Sequence, residues 1–267
     1  AKITFNTLEK MHYDYNGGFK LDYVKDKSGN DLKYVVNNTM MRIDMPSVLK
    51  AGASYTFKIK WWYNINDHVK EGGRSGYEYF EENDNKIYVM PQFYPRMAVY
   101  SDFQGWQNKQ FLGQGEFALT FGDYEVRITV PADHMVGATG VLQNPEQVLS
   151  ATELQRWNKA KQTYDAPVII RTQAEATALE KKKAPGKKTW VFKADNVRDF
   201  AWTSSRKFIW DAMAVKQGGK DVMAMSYYGK EGNPLWEQYS TRVVAHTLKS
   251  YSSHTFDYPY PTAISVE

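Results

Sequence analysis

Cysteine is missing from all 267 residues. The chain therefore forms no disulfide framework, ligates no metal through cysteine and runs no thiol chemistry. No apolar run approaches the roughly 18 residues of a membrane-spanning helix, and no signal peptide is recognisable. Neither feature assigns a compartment, so an exported or periplasmic location stays open. Charge of one sign is scarce too: the formal net charge is +4, which calls for neither nucleic acid nor an anionic membrane as partner. The sequence opens Ala1-Lys2 and stops at Glu267 without a closing element, which reads as a piece of something longer.

What is present is aromatic. Phe, Trp and Tyr make up 15% of the residues, with 19 Tyr and 8 Trp, and aromatics suit a pleated, half-buried sheet surface. The segments Phe19 to Lys25, Leu32 to Val36, Thr39 to Met45 and Tyr55 to Trp62 are separated by Ser28-Gly29-Asn30, Asn37-Asn38 and Lys50-Ala51-Gly52. Short strands with turn residues at this spacing predict an antiparallel β-sandwich. Trp61-Trp62-Tyr63 reads either as a stacking platform for a sugar or base or as a cluster split between the two faces of its strand, with one Trp in the core. The polar, glycine-rich stretch from Asp67 to Asn85 reads as a long loop or flap.

Two capping boxes, Ser150-x-x-Glu153 and Thr172-x-x-Glu175, predict two short helices, because hydroxyl and carboxylate each satisfy free N–H groups of a first turn. They form an expected helical insertion at about 144–183. Strand character returns at Thr189 to Ala194, and Phe208 to Val215 pairs with Asp221 to Tyr228 through Gly218-Gly219. From Pro234 to Tyr251 the residues Trp236, Tyr239, Val243, Val244, Thr247, Leu248 and Tyr251 fall on one helical stripe. A boundary near Lys230 is expected, with residues 1–230 as the sandwich domain and 231–267 as the first helix of a further unit.

The stretch from Met90 to Pro131 carries the strongest functional signal. Phe117 to Val130 reads as a strand pair turning at Gly122-Asp123. Ahead of it, Gln92-Phe93-Tyr94-Pro95-Arg96 is irregular, aromatic and polar, which suits a binding edge or a surface turn. Gln92-Phe93-Tyr94-Pro95 resembles the Q-F-E-P segment in the N-terminal domain of the M1 (gluzincin) family of zinc aminopeptidases. The stretch Tyr100 to Trp106, the run Gly122 to Pro131 with Ala138-Thr139-Gly140, and the lead-in Tyr258-Pro259-Tyr260-Pro261 are similar to segments that follow in that family in the same order.

The resemblance implies a mainly β, saddle-like antiparallel sandwich that forms one wall of a peptide-cleaving cleft. It places the H-E-x-x-H zinc motif and the G-x-M-E-N segment in a catalytic domain beyond Glu267. There zinc would act as Lewis acid and water activator, with the motif's Glu as general base. It implies peptide as substrate, the catalytic domain as partner, and no zinc in these residues. Only Gln92 carries over by position, as a substrate-binding residue. Tyr94 stands where the family has an acidic residue, so acidic capture of a substrate amine does not transfer.

No complete catalytic set is visible. His12, His68, His134, His246 and His254 lack His-Glu-x-x-His spacing, the arrangement that puts two ligands on one helical face; each reads as a surface or packing histidine. Ser204-x-x-Lys207 matches the start of a serine acylase signature without its partners. Glu81-Glu82 and Glu116 with Asp123 read as solvated carboxylates, and Gly113-x-Gly115 lacks a third glycine. The rival class is a non-catalytic binding or scaffold sandwich that takes a glycan or protein ligand on exposed aromatics.

Overall fold

The computed structural model describes residues 15–111 and 117–267. The fold is mainly β, with antiparallel sheets and few helices. Two compact units divide it: Ala1–Asn66 with Tyr94–Thr120, and Asp67–Phe93 with Phe121–Glu267.

In the first unit, strand Lys20–Asp26 pairs antiparallel with Phe57–Trp62. The two indoles divide as alternation requires, Trp61 half-buried and Trp62 49% exposed. Strands Tyr34–Asn37 and Met40–Ile43 form a hairpin over Asn38, at φ 49, a left-handed position that asparagine tolerates. The Gln110 amide staples that turn: its oxygen accepts from the Thr39 N–H (2.9 Å) and hydroxyl (2.7 Å), and its nitrogen donates to the Asn37 carbonyl (2.8 Å). The irregular stretch after Gln92 contains a small ladder, Tyr100–Ser101 against Gly105–Trp106.

The second unit holds three sheets. One has the order Met135–Ala138, Trp202–Ser205, Asn85–Met90, Gly76–Phe80; a second has Val141–Leu142, Lys187–Val197, Gly122–Pro131. The third runs Val168–Arg171, Ile209–Gln217, Lys220–Tyr228, Thr262–Val266, and its last strand is parallel to its neighbour. Fully buried Met135, Trp190, Phe200, Phe208, Trp210 and Tyr228 anchor the core. Gly137 is required where it sits, since a Cβ there would meet the Tyr227 ring at 2.8 Å.

Several expectations need correction. Gly122-Asp123 is no turn: Gly122–Pro131 is a single ten-residue strand. The irregularity lies on its partner, where the register slips between Ala194 and Val197. Asn196 there takes φ 53 and its N–H donates to Asp123 (2.8 Å). The stretch expected as a flap contains helix His68–Glu71, capped by Asp67, and edge strand Gly76–Phe80. Gly72 and Gly73, with φ 79 and 96, mark the connection between them.

Both capping boxes are formed, on helices Ala151–Ala160 and Gln173–Lys181. Strand Val168–Arg171 lies between them and joins the third sheet, so the stretch 144–183 is not purely helical. The C-terminal helix begins as a π-helical stretch, Trp236–Ser240, and continues as the α-helix Thr241–His254. The wider turn rotates the stripe. Thr241, Ala245 and Leu248 are buried, whereas Val243 is 57% and Tyr251 71% exposed. The helix packs on Met213, Val215, Val222 and Ala224 of the third sheet, within the same compact unit as residues before Lys230.

Candidate functional site

Gln92 lies just past strand Asn85–Met90, outside regular structure, with its side chain exposed. Two neighbours fix the backbone there. The Ser75 hydroxyl donates to the Gln92 carbonyl (3.2 Å), and the Phe93 ring meets Phe200 and Trp202 edge-to-face, with centroids 6.4 and 6.1 Å apart. A half-buried aromatic anchor next to an exposed amide is a sound way to present that amide, since the anchor resists movement and the amide keeps its donors and its acceptor. Tyr94 is half-buried.

Asp133, Glu153, Arg171, Glu180 and Lys207, all buried in the second unit, are tied into structural networks. Arg171 donates from Nε to Glu153 (2.7 Å) and from Nη1 to the Asp133 carbonyl (3.1 Å). Arg206 bridges Asp133 and Asn85 (both 3.1 Å). Burial raises the Asp133 carboxyl, but the Ala184 N–H and the Arg206 guanidinium outweigh it and hold it below the usual range. Lys207, 1% exposed, places its ammonium 3.2 Å from Glu180, 2.8 Å from Glu231 and 4.3 Å from the centroid of the Phe80 ring. Lys230 also reaches Glu180 (3.1 Å) and Glu82 (3.3 Å). Neither cation is free to serve as a base.

That geometry dismantles the Ser204-x-x-Lys207 motif. The Ser204 hydroxyl, fully buried, contacts His134 Nδ1 at 2.8 Å, while the Lys207 ammonium lies among the glutamates. Burial, together with the Arg206 charge, pushes the His134 imidazole down to about 4. The pair is a buried hydrogen bond.

The other described histidines stay apart. His68 is half-buried on the short helix; His246 is exposed on the C-terminal helix; exposed His254 bonds the Ser250 carbonyl through Nδ1 (2.7 Å). Among the described residues, no three His, Cys, Asp or Glu side chains converge to hold a metal ion. The described residues do not fit a zinc site, and the buried histidine, His134, is turned onto a serine. His12, Glu116 and the Gly113-x-Gly115 pattern fall outside the described residues. Glu81 and Glu82 are exposed.

Reasoning from sequence missed one feature. Beside the C-terminal helix an apolar groove of about 370 Å³ is lined by Val243, Tyr251, Phe256, Tyr258 and Ile264, among others. Its only signal was the surplus of apolar residues on the helical stripe. No described helix is long and apolar enough to cross a membrane.

No protein-family model and no curated protein sequence matches the chain. Solved structures do. The M1 zinc metallopeptidase from Deinococcus radiodurans superposes with a TM-score of 0.54 at 15% identity, over 95% of this chain and 47% of that one. A variant of a two-domain M1 zinc metallopeptidase bound to L-tryptophan matches with a TM-score of 0.54 at 14% identity, over the same shares. A variant of the Deinococcus protein bound to a Tyr-Ser-Ala substrate gives 0.53 at 14% identity, over 94% and 47%. This chain shares the fold of M1 zinc metallopeptidase chains. It spans about half the length of the structures it matches.

Proposed function

We propose that the chain is the N-terminal, cleft-forming part of an M1-like zinc metallo-aminopeptidase and works with a catalytic domain that supplies the zinc ligands. One observation carries this reading: the fold likeness to M1 zinc metallopeptidases runs over 95% of the chain. The residues of this chain would bind and orient peptide, with the exposed Gln92 amide offering hydrogen bonds to its N-terminal end. Tyr94, in place of an acidic residue, offers no carboxylate for the terminal ammonium. In this reading residues 231–267 lead toward the catalytic domain.

The test has two parts. Reading the gene beyond Glu267 for H-E-x-x-H comes first. If the ligands are there, the longer protein should cleave aminoacyl anilides. Gln92→Ala should then lower kcat/KM while changing stability by no more than about 0.5 kcal/mol, as at exposed positions generally. A longer protein with intact ligands and no turnover would move the weight to a scaffold.

A second reading, a binding module for glycan or protein, is favoured by one observation. Tyr100 and Trp106 are 62% and 55% exposed and pack edge-to-face with centroids 5.3 Å apart. Loss of oligosaccharide binding in Trp106→Ala, with no zinc motif downstream, would select this reading.

A further inference from the structure

The C-terminal helix meets the third sheet through an apolar interface that a polar spot interrupts. Asp211, 1% exposed, stands on strand Ile209–Gln217 directly opposite Ser226 of strand Lys220–Tyr228. Its Oδ2 accepts from the Tyr228 hydroxyl (2.7 Å), and its Oδ1 is buried with no hydrogen-bond partner. Beside it, the Thr241 hydroxyl donates to Ser226 (2.7 Å) and Ser226 donates to Ser240 (2.8 Å). Ser240 and Thr241 mark the junction at which the π-helical stretch becomes the α-helix. Apolar clusters flank the spot: Ile209, Tyr228 and Trp236 on one side, Met213, Val222 and Ala245 on the other. An ionised carboxylate so sparsely hydrogen-bonded is costly in such a place, whereas a neutral carboxyl costs far less.

We infer that Asp211 is a proton-operated latch for the C-terminal helix: protonated, it lets the Trp236–Thr241 junction seat on the sheet, and ionised, it loosens that junction.

The groups facing Asp211 support this. Burial pushes its carboxyl up to about 6, against smaller opposing effects of the Thr241 and Tyr228 hydroxyls and of Arg242, while Glu237 adds to the rise. Strand Val168–Arg171 presents apolar Ile169 at the paired position. Tyr228 stays neutral, since burial and then the Asp211 charge push its hydroxyl well above the usual tyrosine range. The sign follows. A carboxyl whose pKa is higher folded than unfolded favours the folded state at low pH. That advantage is lost as pH rises from about 4 to about 6 and stays lost above. Burial depresses His134, in contrast, so its effect runs the other way over nearly the same range. Global stability would blur the two, and a local measurement separates them.

The experiment is hydrogen exchange of the chain at pH 5 and 7.5, with protection factors corrected for intrinsic exchange. Local opening across 236–248 should rise about tenfold between the two pH values, as expected for a group shifted from about 4 to about 6. The strand Gly122–Pro131 should not follow. In Asp211→Asn the tenfold change should vanish. Carbon-13 titration of the Asp211 carboxyl in the unaltered chain needs no variant, and a midpoint near 4 would overturn the latch. So would an equal pH response of 236–248 in Asp211→Asn.

Discussion

Lys207 and His134 show how much depends on single buried side chains. The Lys207 ammonium faces Glu180 and Glu231 at hydrogen-bond distance, and removing one partner of a buried pair costs about 3–5 kcal/mol because the other charge is stranded. Here Lys230 still reaches Glu180, so Lys207→Met should cost about 3 kcal/mol, near the lower end; urea unfolding measures it. His134 should make the protein acid-sensitive. Its imidazole is pushed down to about 4 by burial, whereas the unfolded chain binds a proton near 6.5. The stability it contributes is therefore complete above about pH 6.5 and is lost as pH falls toward 4, on the order of 3 kcal/mol in all. Asp211 slopes the other way over nearly the same range, so the readout is the difference in stability between the unaltered chain and His134→Gln, which can still bond Ser204. That difference should change by this amount between about pH 6.5 and about pH 4, because the Asp211 slope is common to both.

At the scale of elements, the C-terminal helix separates what was legible from what was not. The apolar period announced a helix, and both capping boxes elsewhere announced theirs, because these signals are local. Which side of the helix faces inward depends on the π-helical stretch Trp236–Ser240, a feature no residue pattern spells out. The buried set became Thr241, Ala245 and Leu248, with Val243 and Tyr251 left in solvent. Leu248→Ala should thus cost about 2–5 kcal/mol as a core truncation, while Val243→Ala should stay within about 0.5 kcal/mol. Thermal unfolding of the two variants tests that order; equal losses would mean the helix sits otherwise. Gly122-Asp123 was misread for a similar reason: the Gly-Asp pair looks like a turn by itself, and only the partner strand, with its slip at 194–197, shows why it is not one. The exposure of Gln92 was legible from the proline-broken aromatic segment around it. The burial of Ser204 and Lys207 was not, since their partners lie 70 positions away at His134 and 27 away at Glu180.

For the molecule as a whole, the decisive matter is metal. A catalytic zinc needs three protein ligands in fixed geometry and an open position. Among the described residues His246 and His254 share the C-terminal helix about two turns apart, His134 is committed to Ser204, and buried Asp211 joins no cluster of ligands. The buried carboxylates Asp133, Glu153 and Glu180 are committed to Arg171, Arg206, Lys207 and Lys230. Recruiting any of those carboxylates would strand a buried cation, a cost of about 3–5 kcal/mol before the metal gains anything. The isolated 267-residue chain should therefore retain well under one equivalent of zinc after dialysis and release no anilide from aminoacyl substrates. Elemental analysis and a chromogenic assay decide this, beside a longer protein that carries H-E-x-x-H. Stoichiometric zinc in the short chain would mean that ligands come from its own residues, and the division of labour between this fold and a catalytic domain would have to be abandoned.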